Sequence, residues 1–198
     1  ITFEPRMDIP VYHKDVKVYD VKDQDGRHLA LFYADFFPRP TKRGGAWMTE
    51  FRGQCIRNGV EERPFISIVT NFTKPTGSTP SLITHDELTT LLHEFGHSLH
   101  GMLAEGRYPS LCGTNVARDF VELPSQIMEN WAFEPEFLDN FAKDYKTGEV
   151  IPTELVNKIV RAKNYLAGYY QVRQLDFGTL DMAWHTLTAL PEEYAAEF

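Results

Sequence analysis

The stretch Thr84-His85-Asp86-Glu87-Leu88-Thr89-Thr90-Leu91-Leu92-His93-Glu94-Phe95-Gly96-His97 reads as one amphipathic helix with two imidazoles four residues apart. Thr84 and Glu87 stand at capping-box spacing, hydroxyl at the N-cap and carboxylate three residues on. Leu88, Leu91, Leu92, Phe95, Leu99, Met102 and Leu103 then recur at helical intervals, which puts the histidines mid-helix. In a helix, His93 and His97 leave the same face about one turn apart and can close on a single Zn²⁺. Glu94 points roughly 100° round the helix, near enough to reach a water on that metal without being a ligand. Zinc lowers the pKa of such a water to about 7, and a carboxylate can take its proton as the hydroxide attacks a carbonyl. The pattern points to metal-assisted hydrolysis with Glu94 as general base; a chance pair of helix histidines is the plainer alternative. Gly96 costs about 1 kcal/mol against Ala in a helix interior, which predicts a close neighbour there, either a second helix or a substrate backbone.

A catalytic zinc takes three protein ligands and keeps one position open, so a third donor must come from elsewhere. The metzincin pattern needs Gly at 100 and His at 103, and the chain has His100 and Leu103. A thermolysin-like arrangement draws a Glu from a following helix, and Asp119-Phe120-Val121-Glu122-Leu123-Pro124-Ser125-Gln126 offers one. Pro124 fits most easily in a helix's first turn, which predicts a helix starting close to Glu122 and running through Glu129 and Asn130. On the residues alone Glu122 leads, while Glu129, Asp119 and Glu105 stay open as rivals. Each of these acids could equally be a cap or a solvated charge.

Ahead of this helical half the chain is strand-like, which predicts an α+β fold, mainly α: a small antiparallel-type sheet within residues 1–80, then a helical zinc-binding part over residues 81–198. Val16, Val18 and Val21 mark one strand, Asp23-Gln24-Asp25-Gly26 a turn, and His28 to Phe36 a second strand, together a hairpin. Phe65 to Thr70 is a third strand; Pro- and Gly-rich loops, Pro38 to Gly45 and Lys74 to Pro80, separate these elements. Further helices are expected over Pro135 to Lys146, over Glu154 to Ala162 with Thr153 as N-cap, and from about Tyr165 to Leu187.

Composition narrows the function classes. With 198 residues, 42% hydrophobic and 24% charged, the chain has the make-up of a soluble globular protein. Its net charge of −8 argues against a nucleic-acid partner, which wants a basic footprint. No apolar run approaches a membrane span. Cys55 and Cys112 are too few and too far apart for a disulfide scaffold, so both are expected to be buried thiols of a reduced, cytoplasmic protein. Ile1 in place of an initiator Met, and the acidic, helix-favouring run Pro191 to Glu197 before Phe198, read as a piece of a longer polypeptide.

Several segments carry a resemblance when taken in order. They are Pro38-Arg39-Pro40 with Lys42-Arg43-Gly44-Gly45-Ala46-Trp47-Met48, Asn71-Phe72-Thr73, and His93-Glu94-Phe95-Gly96-His97 with Leu99-His100. After them come Arg118-Asp119-Phe120-Val121-Glu122 with Pro124-Ser125-Gln126, and Glu129-Asn130-Trp131. From about Tyr33 to Thr188 the chain resembles the thimet oligopeptidase and peptidyl-dipeptidase family of zinc peptidases. The run Arg173-Gln174-Leu175 through Asp181-Met182-Ala183-Trp184-His185 is most similar to the peptidyl-dipeptidase branch. The resemblance implies one zinc per chain held by His93, His97 and Glu122, with Glu94 as base and short peptides as substrates. It covers only the central part of such enzymes. Their downstream Gly- and Tyr-rich segment, which holds substrate, has no match here, so the segment alone is expected to bind zinc yet hydrolyse peptides poorly without the remainder of the enzyme.

The resemblance also frames the residues around the metal. Metal-bound imidazoles usually donate their other N–H to a carboxylate or carbonyl, and Glu129, two helical turns beyond Glu122, is placed to accept it. His100 lies on a face near His97 and is a weaker candidate for support. For the substrate, the Phe65 to Thr70 strand, with Ile68 and Val69 at its centre, is expected to offer an edge to an extended peptide. Gly44 and Gly45 are expected to let backbone approach closely. Two other classes compete with the peptidase reading: a metal- or peptide-binding module without catalysis, and a zinc hydrolase acting on other bonds.

Overall fold

A computed structural model describes residues 1–189; the acidic run at Pro191 to Glu197 lies outside them. The described residues form two compact units, Ile1–Val150 and a second beginning at Ile151.

The first unit is built on a five-stranded sheet. Strands β1 (Thr2–Pro5), β2 (Lys17–Lys22), β3 (His28–Asp35), β7 (Phe65–Val69) and β4 (Trp47–Arg52) lie side by side in that order. A separate two-stranded ribbon, β5 (Cys55–Arg57) and β6 (Val60–Glu62), fills the connection between β4 and β7. The hairpin expected around Asp23 to Gly26 is β2–β3, with Val18 opposite Tyr33 and Asp20 opposite Leu31.

The sheet is mixed, not of the antiparallel type expected. β7 runs parallel to β3, with Leu31 opposite Phe65 and Ala34 opposite Ile68, and antiparallel to β4. The cause is the unforeseen β4. It leaves a gap beside β3 that β7 enters after the ribbon, and a parallel neighbour needs such a long crossover.

Alternation along the strands gives the sheet two apolar faces. Val21, Ala30, Phe32, Ala34, Ile66 and Ile68 form the core on one face, where helix α1 (His85–Met102) packs through Leu91, Phe95, Leu99 and Met102. Each fully buried Leu, Ile or Met there contributes about 1.5–3 kcal/mol. Edge-to-face rings fix the seat: the Phe95 centroid lies 6.2 Å from Phe32 at 83°, and Phe32 lies 5.8 Å from Phe3. The Thr84 and Glu87 capping box forms as the sequence suggests, with Glu87 N–H donating to the Thr84 hydroxyl and Thr84 N–H to Glu87. At the other end, Arg63 donates to the Met102 and Ala104 carbonyls, satisfying acceptors that a helix C-terminus leaves open.

The opposite face carries Val16, Val18 and Tyr33. At its end, Asp35 is 1% exposed and accepts both guanidinium N–H groups of Arg39, the Lys42 ammonium and the Tyr12 hydroxyl. Lys42 also donates to the carbonyls of Asp35 and Phe37, so this ion cluster ties down the loop that leads into β4.

Helix α2 (Leu123–Glu129) starts where Pro124 predicts. It continues as a 3₁₀ turn over Asn130–Phe133, then as the single-turn α3 (Pro135–Leu138), much shorter than the helix expected over Pro135 to Lys146. In the second unit α4 spans Thr153–Lys163 with Pro152, not Thr153, at its N-cap. α5 (Ala167–His185) follows Leu166, which adopts a left-handed φ of 55°. No helix among the described residues is long and apolar enough to cross a membrane. Both cysteines are buried free thiols.

Candidate active site

α1 and α2 meet at Gly96. A Cβ there would stand 2.3 Å from the Pro124 carbonyl oxygen and 2.6 Å from the Ser125 Cα. The close neighbour that Gly96 implied is therefore the second helix, and only hydrogen at this position lets the two backbones approach so far.

That approach brings Glu122, the N-cap residue of α2, over the imidazole face of α1. Its Oε2 lies 3.2 Å from His93 Nε2 and 3.1 Å from His97 Nε2, and the donor atoms of His93, His97 and Glu122 all fall within 4.8 Å of one another. The two rings stand nearly perpendicular, 4.9 Å between centroids. The Ser125 hydroxyl donates to both Oε2 (2.7 Å) and the carbonyl of Glu122, and this bond, more than the two histidines, holds the Glu122 carboxyl below its ordinary range.

The rival third donors fall elsewhere. Glu129 pairs with the far side of His93, Nδ1 to Oε1 at 2.7 Å. Glu105 belongs to a different cavity, with Arg27, Gln54 and Arg107, and Asp119 is exposed outside the cluster.

The pairing with Glu129 says what the site accepts. An ionised carboxylate only accepts, so the contact with Glu129 puts an N–H on His93 Nδ1 and turns Nε2 toward the other two donors. His93 Nε2 and His97 Nε2 both face the Glu122 carboxylate, an arrangement that a bound metal ion or protons on the imidazoles would satisfy. Two imidazole nitrogens and one carboxylate oxygen form a donor set that suits zinc.

Glu94 lines the same cavity as the three donors, beside Met48 of β4. It is 9% exposed, and burial pushes its carboxyl pKa up against the opposing pull of His93 and His97. His100 is not part of the three-donor group and lines a different cavity. Its ring lies edge-on to Phe120, 6.3 Å between centroids, and burial followed by the proximity of His97 lowers its pKa.

The donors line a cavity of about 360 Å³ with Ala46, Trp47, Met48, Thr114 and Val121. Here the structure corrects a sequence expectation. Ile68 and Val69 belong to the interior strand β7, hydrogen-bonded on both sides, so they have no free edge. The open edge beside the histidines is β4, whose first residues form the cavity wall. Gly44 and Gly45 lie just before it; a Cβ on either would meet only open space, and Gly45 is required by its φ of +96°. The Asn71 side chain donates to the carbonyls of Arg43 and Gly45, fixing this turn. β4 and Thr114 went unremarked in the sequence, although Trp47, Thr49 and Phe51 alternate with Met48 and Glu50 as a strand should.

Residues 1–197 match peptidase family M3. The chain belongs to that family. It is 47% identical over 199 residues to the dipeptidyl carboxypeptidase of Salmonella typhimurium, covering 100% of this chain and 29% of that protein. Against oligopeptidase A of Escherichia coli it is 43% identical over 187 residues, covering 93% of this chain and 28% of that protein. The organellar oligopeptidase A of Arabidopsis thaliana is 42% identical over 183 residues, covering 89% and 23%. The chain thus spans less than a third of the length of these relatives.

Proposed function

We propose that this segment carries the catalytic centre of a zinc peptidase that cleaves short peptides, as a peptidyl-dipeptidase or an oligopeptidase. The observation that carries the reading is the convergence of His93 Nε2, His97 Nε2 and Glu122 Oε2 within 4.8 Å, the donor set of a zinc site. Membership of peptidase family M3 and the likeness to a dipeptidyl carboxypeptidase and to oligopeptidase A support the choice of peptides over other substrates.

In this reading His93, His97 and Glu122 hold the zinc. When bound, zinc supplies Lewis acidity that polarises a carbonyl and lowers the pKa of water to about 7. Glu129 fixes the tautomer and rotation of His93, and Ser125 fixes the rotamer of Glu122. Glu94 takes a proton from the attacking water on its carboxylate and returns it to the leaving amine. Its raised pKa suits both steps, since a general base works best with a pKa nearer the working pH. The β4 edge at Ala46 to Met48 seats the peptide backbone, which gives affinity without strong sequence preference.

The test is Glu94→Gln at the protein's native length, against a panel of short peptides, esters and amides. Peptide hydrolysis should fall at least ~10²-fold with zinc content unchanged. Equal turnover in parent and variant would remove Glu94 from the mechanism. Hydrolysis of the esters or amides but not of peptides would replace the peptidase reading with another zinc hydrolase. Zinc binding with no hydrolysis of any substrate would favour a binding module.

A further inference from the structure

A peptide added along the β4 edge would meet two faces of the sheet. Successive side chains of an extended chain point to opposite faces, so every other residue of such a peptide points away from α1 and the histidines. On that far face lies a second cavity, of about 310 Å³. The register of β4 places it. Met48 and Glu50 stand opposite Ile68 and Ile66 on the α1 face, while Trp47 and Thr49 stand opposite Val69 and Ser67 and line the second cavity. Trp47 also lines the cavity of the three donors, so the two adjoin around one side chain at the sheet edge.

The charges around the second cavity do not balance. Its lining holds one acid, Asp35, and three bases, Arg39, Lys42 and Arg43, which leaves a net charge of +2. Asp35 is committed to Arg39, Lys42 and Tyr12. Lys42 has no N–H to spare, since its three donors go to the Asp35 carboxylate and to the carbonyls of Asp35 and Phe37. Arg43 differs. Its guanidinium has no ion pair among the described residues and lies over the Trp47 ring, 6.0 Å from the centroid. Asn71 donates to the Arg43 and Gly45 carbonyls, so this fork of donors stands on a held turn.

We propose that the second cavity is a carboxylate subsite for the substrate, in which Arg43 receives an acidic side chain, or the C-terminal carboxylate, from the part of the peptide that points away from the metal. The proposal rests on the seating of a peptide along β4 in the reading above. A guanidinium takes a carboxylate through two parallel N–H···O bonds, and the positive field of the cavity favours an anion over a neutral group. Arg43 is exposed, and backbone pairing along the edge supplies affinity whatever the sequence, so the preference is modest. It is about 5-fold, the upper end for an exposed ion pair.

The test compares short peptides at the protein's native length. Glu or Gln is placed at each position in turn on either side of the cleaved bond, and each peptide is made with a free and with an amidated C-terminus. Where the side chain is the occupant, the kcat/KM ratio of Glu over Gln should reach about 5 only at positions an even number of residues apart, and stay near 1 between them. Where the terminus is the occupant, the ratio of free over amidated peptide should reach about 5 instead. Arg43→Gln should bring the ratio concerned to about 1, and Arg43→Glu should bring it below 1. Raising ionic strength from about 0.01 to about 1 M, which shortens the Debye length from ~30 to ~3 Å, should shrink the parent's ratio below about 2. A ratio taken within one variant is blind to any general loss of folding or zinc.

Ratios near 1 in the parent, or a preference that survives Arg43→Gln, overturn the proposal. A Glu preference of equal size at adjacent positions overturns it too, since both faces would then accept the acid. A parent that hydrolyses none of the peptides defeats the peptidase reading instead. Calorimetric binding of the same peptides to parent and Arg43→Gln then decides the subsite: an Arg43-dependent preference of about 5-fold in Kd supports it, and equal Kd values overturn it.

Discussion

Replacing Gly96 with Ala tests how closely the site depends on the contact between α1 and α2. The added methyl would begin 2.3 Å from the Pro124 carbonyl oxygen, where ordinary contact starts at 3.4 Å, so the backbones must part by 3.4 − 2.3 = 1.1 Å. Both partners are main chain, and no side chain can swing aside to absorb the strain. Overpacking of this kind costs about 1–3 kcal/mol, while Ala gains about 1 kcal/mol over Gly in the helix. Net stability should therefore fall by only about 0–2 kcal/mol. The site should suffer more. Glu122 opens α2, two residues before Pro124, and a metal constellation tolerates about 0.5 Å of misplacement. Zinc affinity should drop about 10–100-fold, the scale seen when a ligand loses its supporting partner. Competition against a chromophoric chelator measures the affinity, and thermal unfolding of the metal-free protein measures stability. Zinc affinity within 2-fold of the parent would refute the argument that this helix contact sets the donor spacing.

Removal of the carboxylate that orients His93, in Glu129→Ala, should weaken zinc about 10–100-fold, and Glu129→Gln, which keeps an acceptor for Nδ1–H, should recover much of that loss. Asp35→Asn should destabilise by about 3–5 kcal/mol in chemical denaturation, because the buried Lys42 ammonium, with the partly buried Arg39 beside it, is left without its counter-charge. Burial alone would raise the Asp35 carboxyl, but the bonds from Arg39 and Lys42 outweigh it and the folded pKa lies below 3.8. A lowered folded pKa contributes stability above the unfolded value and loses it as pH falls through the folded one. The parent should therefore lose stability below about pH 4 more steeply than Asp35→Asn, as melting temperatures across that range would report.

Helix α1 was legible because its signals are local. The Thr84–Glu87 box, the leucine spacing and the His93–His97 interval all act within one element, and each has its counterpart in α1. Pro124 similarly located the start of α2, and Gly96 announced a close neighbour. Sheet order was not legible. The β-branched run Phe65 to Val69 says that a strand exists, but its pairing with β3 reaches back more than thirty residues, and β4 lies on its other side. The peptide-seating edge was therefore assigned to Ile68 and Val69 when the exposed edge belongs to Trp47 to Arg52. The burial of Asp35 was not legible either, since nothing local distinguishes a buried acid from a solvated one. Only the arrival of Arg39 and Lys42 gives it its role.

The central claim is a three-donor zinc centre completed by Glu122, and metal content tests it most directly. Elemental mass spectrometry on the purified chain, beside Glu122→Ala, should find about one zinc per chain in the parent and an affinity at least ~10-fold weaker in the variant. A parent without stoichiometric zinc, or zinc held equally well without Glu122, would contradict it.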